Sequence, residues 1–159
     1  MKKLLATALF ASTSLMAHAN VVSNHALSVD TALELVKEGL AYCAKDQYNV
    51  SVAIVDHSGE LKAFGRHNQS GPHAAEGAKR KAFSAASMEA STEFFFKLIQ
   101  KNPELQGLHS LHDKLLLLPG GLPIKYKGKV IGGIGVSGAP GGDLDTACAE
   151  AAINKVLNK

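Results

Sequence analysis

Leu115 to Gly142 reads LLLLPGGLPIKYKGKVIGGIGVSGAPGG. Lys127-Gly128 is a turn signal between two apolar runs, Ile124–Tyr126 and Lys129–Val136, and so predicts a β-hairpin. Leu115–Leu118 reads as a further short strand, with Pro119 to Pro123 as a rigid turn behind it. The hexapeptide Gly133-Ile134-Gly135-Val136-Ser137-Gly138 formally matches the dinucleotide fingerprint. That fingerprint needs a helix, a second strand and an acidic residue about 20 positions on. Only 21 residues follow Gly138, and they read as one helix, so the match is rejected. Glycine within a strand signals instead the close approach of another backbone or of a ligand.

Upstream, Asn49–Asp56 (NVSVAIVD) is β-branched and apolar, and Leu61–Arg66 follows a turn at His57 to Glu60. They predict a second hairpin. Val29, Ala32, Leu33, Val36, Leu40 and Cys43 recur at helical spacing behind Ser28, a plausible N-cap, predicting a helix over 29–45. Ala74–Met88 and 91–99 are two further helical stretches, the second carrying Phe94-Phe95-Phe96. Three consecutive rings point in three directions, so one at least should meet a partner surface. A last helix, capped by Asp143, presents Leu144, Ala147, Cys148, Ala151, Ala152 and Val156 on one side. The order helix, two strands, two helices, three strands, helix predicts an α+β domain. Its sheet should be five-stranded, mainly antiparallel and flanked by helices.

The N-terminus has the three parts of a secretory signal peptide. They are the basic Lys2-Lys3, an apolar run from Leu4 to Met16, and the small-x-small site Ala17-His18-Ala19. Cleavage after Ala19 makes 1–19 the signal peptide and 20–159 one domain, periplasmic or secreted. The remaining chain has 15 basic residues against 14 acidic ones and no further membrane-length apolar run. This balance offers no electrostatic footprint for nucleic acid. The two cysteines, Cys43 and Cys148, lie on the buried stripes of the first and last helices. They are either a disulfide, which an oxidising compartment permits, or two small buried thiols.

His73 stands between Gly71-Pro72 and a helix start, with Lys79-Arg80-Lys81 about two turns on and Phe83 beyond. One helix face can then offer an imidazole to iron, cations to propionates and an apolar wall. On local evidence alone, the same residues read more simply as a capping histidine before a solvated basic run. Ser137, Gly138, Gly141 and Gly142 form a loop leading into a helix N-terminus, where free N–H groups can hold an anion. His109, His112 and Asp113 (HxxHD) lack a third strong ligand at a diagnostic distance, so no metal site is expected. No residues form a catalytic set, and a non-enzymatic role is expected.

Together, several blocks resemble the GlcG/HbpS family of haem-binding proteins, whose domain is also similar to the C-terminal domain of PduO. The blocks are Val52–Asp56 with Ser58-Gly59, Gly71-Pro72-His73, Lys81–Ala85, Leu117–Ile124, Val130–Gly138 and Asp145–Ala149. The resemblance implies a profilin-like five-stranded sheet and a homo-oligomer. It also implies a tetrapyrrole ligand, with haem the expected cofactor and His73 the residue on the Gly-Pro-His match. Some members are partners of a sensor kinase. The first expectation is therefore an exported haem or tetrapyrrole binder for storage, uptake or sensing. The alternative is a binding or sensory module for a small organic acid at the Ser137–Gly142 loop, or a small enzyme acting on one.

Overall fold

The computed structural model describes residues 25–158, so the expected signal peptide lies outside the described residues. In chain order come α1 (Val29–Ala44), β1 (Ser51–Asp56), β2 (Leu61–Arg66), α2 (Pro72–Ser87) and α3 (Thr92–Lys101). A 3-10 segment (Pro103–Ser110), β3 (Gly121–Tyr126), β4 (Lys129–Ser137) and α4 (Gly142–Leu157) complete it. The sheet is antiparallel throughout, in the order β2-β1-β4-β3. No described helix is long and apolar enough to cross a membrane.

Alternation along the central strands builds three layers. Val52 and Ile54 of β1, with Ile134 and Val136 of β4, face a core shared with α1 and α4. Ala53 and Val55 face the other way, onto Ala78, Ala82 and Ala86 of α2. The glycines of β4 are what let α2 sit so close. A Cβ on Gly135 would lie 2.1 Å from the Ala78 carbonyl oxygen, and one on Gly133 would lie 2.3 Å from that of Ala82. Both obstructions are backbone, so neither can swing aside. Gly135→Ala is therefore expected to cost roughly 3 kcal/mol, at the upper end for overpacking. A thermal midpoint unchanged from wild type would contradict this reading of the helix–sheet contact.

The sheet has four strands among the described residues, where five were expected. Leu115–Leu118 is the difference, and α2 is the reason. Arg80 Nη2 donates to the Leu115 carbonyl at 2.7 Å, and the Leu116 N–H donates to Ser84 Oγ at 2.7 Å. Leu115 and Leu117 are buried as a hydrophobic strand would be. Here, however, side chains of α2 satisfy the backbone of the segment in place of a neighbouring strand. β3 begins earlier than expected, at Gly121, and includes Pro123. It is an edge strand, where a missing N–H is tolerated.

Ser28 caps α1 as expected, its Oγ accepting from the Thr31 N–H. Asp143 does not cap α4. The helix starts one residue before it, with Gly141 at the cap position and no side-chain cap. Cys43 and Cys148 form a disulfide between α1 and α4, with a Cα separation of 5.6 Å. Phe94 is the ring of its triplet left in the open, 54% exposed and edge-on to Phe95.

Candidate functional site

Pro72 occupies the first turn of α2, where its missing N–H is no loss and its fixed φ favours the helix. His73 follows at once and is exposed. A Cβ on Gly71 would lie 2.6 Å from its ring, so the glycine leaves room for the imidazole to lie back over the turn. Helical spacing puts His73, Glu76, Arg80 and Phe83 on one side of α2, about 15 Å from first to last.

At the far end a cleft of about 170 Å³ lies over Phe83 and Arg80. Gly59, in the β1–β2 turn, has φ +81, and a Cβ there would strike the Phe83 ring at 2.6 Å. The ring stacks on His112 with centroids 5.0 Å apart, and the Lys114 ammonium lies 5.5 Å from its centre. Lys79 sits over the Phe64 ring at 5.2 Å. Arg80 is held by the Leu115 carbonyl, while its buried Nε has no hydrogen-bond partner among the described residues. Gly59 and Lys114 come to this cleft, and His112 to the Phe83 ring, from loops, which helical spacing along α2 could not reveal.

The histidines differ in what their ring nitrogens already do. Nδ1 of His67 and of His112 accepts a backbone N–H, from Gln69 at 3.3 Å and Lys114 at 3.0 Å. A neutral ring so held carries its proton on Nε2, leaving no lone pair for a metal. His57 Nε2 lies 3.4 Å from Ser58 Oγ, and His25 packs edge-on to Tyr126. His73 and His109 alone among the described histidines show neither a hydrogen bond nor a ring contact. No group of three His, Cys, Asp or Glu converges as a metal site among the described residues.

Lys81 does not join the His73 side of α2. Lys79, Arg80 and Lys81 point about 100° apart, so a run of three must send one inward. Lys81 Nζ donates to Asp145 Oδ2 at 2.7 Å and to the Val136 carbonyl at 3.0 Å, with both charged side chains 5% exposed. Asp145 Oδ1 also accepts the Ala139 N–H at 3.0 Å. Burial pushes the Asp145 carboxyl above its ordinary value, against the pull of Lys81 and the Ala139 hydrogen bond.

A second cleft, of about 540 Å³, opens on this pair. Of the expected anion loop, Gly141 and Gly142 line it. Ser137 instead lies beside Gly77, and Gly138, with φ +122, packs on the Asn49 carbonyl. One N–H of that loop is thus already taken by a carboxylate of the chain itself. The sequence signal for Asp145 was its place with Cys148, Ala149 and Ala152 at i, i+3, i+4 and i+7. A charge on a buried stripe demands a buried partner.

A protein-family profile described as "Haem degrading protein HbpS-like" matches residues 27–154. Protein GlcG of Escherichia coli K12 is 31% identical over 111 residues, spanning 70% of this chain and 81% of GlcG. A double variant of Streptomyces reticuli HbpS has a crystal structure similar at TM-score 0.80 and 33% identity, over 92% of this chain and 98% of that one. The crystal structure of a PduOC:heme complex is similar at TM-score 0.77 and 29% identity, over 84% and 96% of the respective chains.

Proposed function

The chain belongs to the HbpS-like family, and from that premise we propose that it binds haem or a related tetrapyrrole, with His73 as the iron ligand. The observation that carries the assignment is the His73 ring, exposed on the first turn of α2 and without a hydrogen bond among the described residues. An imidazole held by no other group is ready to donate to iron. The similarity to HbpS and to the PduOC:heme complex supports the choice of ligand.

The residues around it fit the group in kind. Lys79 and Arg80 supply cations for its carboxylates, and Phe83 and Leu61 supply apolar surface. At about 170 Å³, the Phe83 cleft is smaller than the ~300–1,000 Å³ of usual ligand pockets. Its near wall, at Glu76, is one turn from His73, so with the iron on His73 the cleft takes only the propionate edge of the group, and the rest lies over the first turns of α2. Covering that remainder is a role for a second copy of the chain, so the binding-competent form is proposed to be a homo-oligomer. Leu61 and Leu111, 52% and 68% exposed, offer apolar surface for the contact. Bound haem would supply a redox-active iron and a strong visible chromophore.

Export is part of the proposal, since a Cys43–Cys148 disulfide suits an oxidising compartment. Storage, uptake and signalling to a sensor protein are the roles such a binder would serve. The organic-acid alternative is less favoured. The cleft beside Gly141 and Gly142 carries Glu93, Asp143 and Asp145 against Lys81 and Lys97, a net negative lining.

Haemin titration followed by absorbance tests the reading. Wild type should give a sharp Soret shift that saturates at fixed stoichiometry, and His73→Ala should weaken binding at least about tenfold, or 1.4 kcal/mol. A shallow, unsaturating change that is equal in both proteins would sink the proposal. A Soret band that forms and then decays over hours would add breakdown of the macrocycle to binding.

A further inference from the structure

Lys81 and Asp145 are buried, yet both border the 540 Å³ cleft, whose size suits a small molecule. Its walls are apolar at Phe96, Leu118, Pro119 and Pro140. The charges at its lining are Lys81 and Lys97 against Glu93, Asp143 and Asp145. Lys97 pairs with Glu93 and Lys81 with Asp145, so the lining as a whole is one charge negative. A carboxylate ligand is repelled there, and an uncharged one with an apolar body is favoured.

The chemistry at the base is that of an amine beside a carboxylate, shielded from water. Two of the three N–H positions of Lys81 are taken, by Asp145 and Val136. No third hydrogen bond of Lys81 Nζ is present among the described residues, which leaves a position for a reacting atom. Desolvated lysines attack carbonyl carbons to form imines, once a neighbouring base has taken a proton from the ammonium. Asp145, 2.7 Å away, is that base.

We propose that this cleft takes a small uncharged aldehyde or ketone, and that Lys81 Nζ condenses with it to an imine. The ammonium passes one proton to Asp145, and the freed amine adds to the carbonyl carbon, forming a C–N bond. Asp145 returns that proton to the new alkoxide, then takes a second proton from the C–NH2+ nitrogen and delivers it to the hydroxyl. The nitrogen lone pair closes the C=N bond, the C–O bond breaks and water leaves. No electron is gained or lost. The protonated imine keeps a positive charge beside Asp145, so the buried pair survives the modification. Nothing in this depends on haem, because the cleft shares no lining residue with the one at Phe83.

The test is reductive trapping in the wild-type protein with butanal and sodium cyanoborohydride, located by peptide mass spectrometry. Lys125 and Lys127, both exposed, serve as references within the same molecule. Lys81 is expected to be butylated at least about tenfold faster than either, and saturably in butanal. In urea-unfolded protein the preference should vanish. Butanone should compete and butanoate should not. Asp145→Asn should abolish the preference while leaving the labelling of Lys125 unchanged. Labelling of Lys81 no faster than of Lys125 and Lys127, or its complete protection while they react, overturns the proposal. Protection by butanoate in place of butanone overturns the assignment of an uncharged ligand. Haemin titration reads none of these outcomes, so the two proposals fail separately.

Discussion

Replacing both Cys43 and Cys148 by alanine is expected to lower stability by about 4–5 kcal/mol, the largest loss foreseen for any change here. The bond joins α1 to α4 across 105 residues of sequence. Cross-linking a loop of that length removes roughly 4.7 kcal/mol of chain entropy from the unfolded state. Both residues are almost fully buried in the core beside Ala149 and Ala152. Alanine at the two sites therefore adds a cavity but leaves no polar group unmatched. In a domain of this size the loss corresponds to a thermal midpoint lower by about 10–20 °C. Thermal unfolding of wild type and the double variant, both without reductant, checks it. Adding reductant after unfolding and repeating the scan on wild type should reproduce most of the drop. Coincident transitions for the two proteins would mean that the bond constrains nothing that the packing does not already hold.

Local signals carried the secondary structure well where they agreed with the packing. Lys127-Gly128 lies between two strands, and Ser28 caps α1, as their types require. The glycine-rich strand announced a close neighbour without naming it, because nothing local to β4 says that Ala78 and Ala82 of α2 are the backbone that approaches. Leu115–Leu118 misled for a related reason. An apolar tetrapeptide reports burial, whereas strand pairing depends on who satisfies its backbone, and Arg80 and Ser84 lie more than 30 residues away.

The same limit applied to the site. His73 was visible because Gly71-Pro72 marks a helix start. Phe83 was visible on α2, but Gly59, His112 and Lys114 reach it only through the fold. Lys81 looked like part of a solvated basic run, and Asp145 stood out as the start of the block Asp145–Ala149. Each was legible only from its place on a buried stripe, and their meeting, 64 residues apart, was not legible at all.

That pair should answer sharply to the loss of one partner. Lys81→Met is expected to cost about 3–5 kcal/mol at neutral pH, because it leaves Asp145 buried beside an apolar chain. The cost should depend on pH in a definite sense. Burial already holds the Asp145 carboxyl above 3.8, and without Lys81 nothing cationic opposes that push. A group whose folded value is raised binds protons more tightly in the folded state. Its contribution to stability is therefore fully present below 3.8 and is lost as pH rises through the folded value. Lys81→Met should thus be least damaging in acid and most damaging at and above neutrality. Pairing it with Asp145→Leu removes the stranded charge, so the double variant should be more stable than Lys81→Met alone at pH 7. Denaturant unfolding of wild type, the single variant and the double variant at pH 5 and pH 8 measures all of this. A flat pH response in Lys81→Met would mean that Asp145 finds another partner or water. The pair would then be a local contact, no longer the clamp that joins α2, the end of β4 and the start of α4 around one cleft.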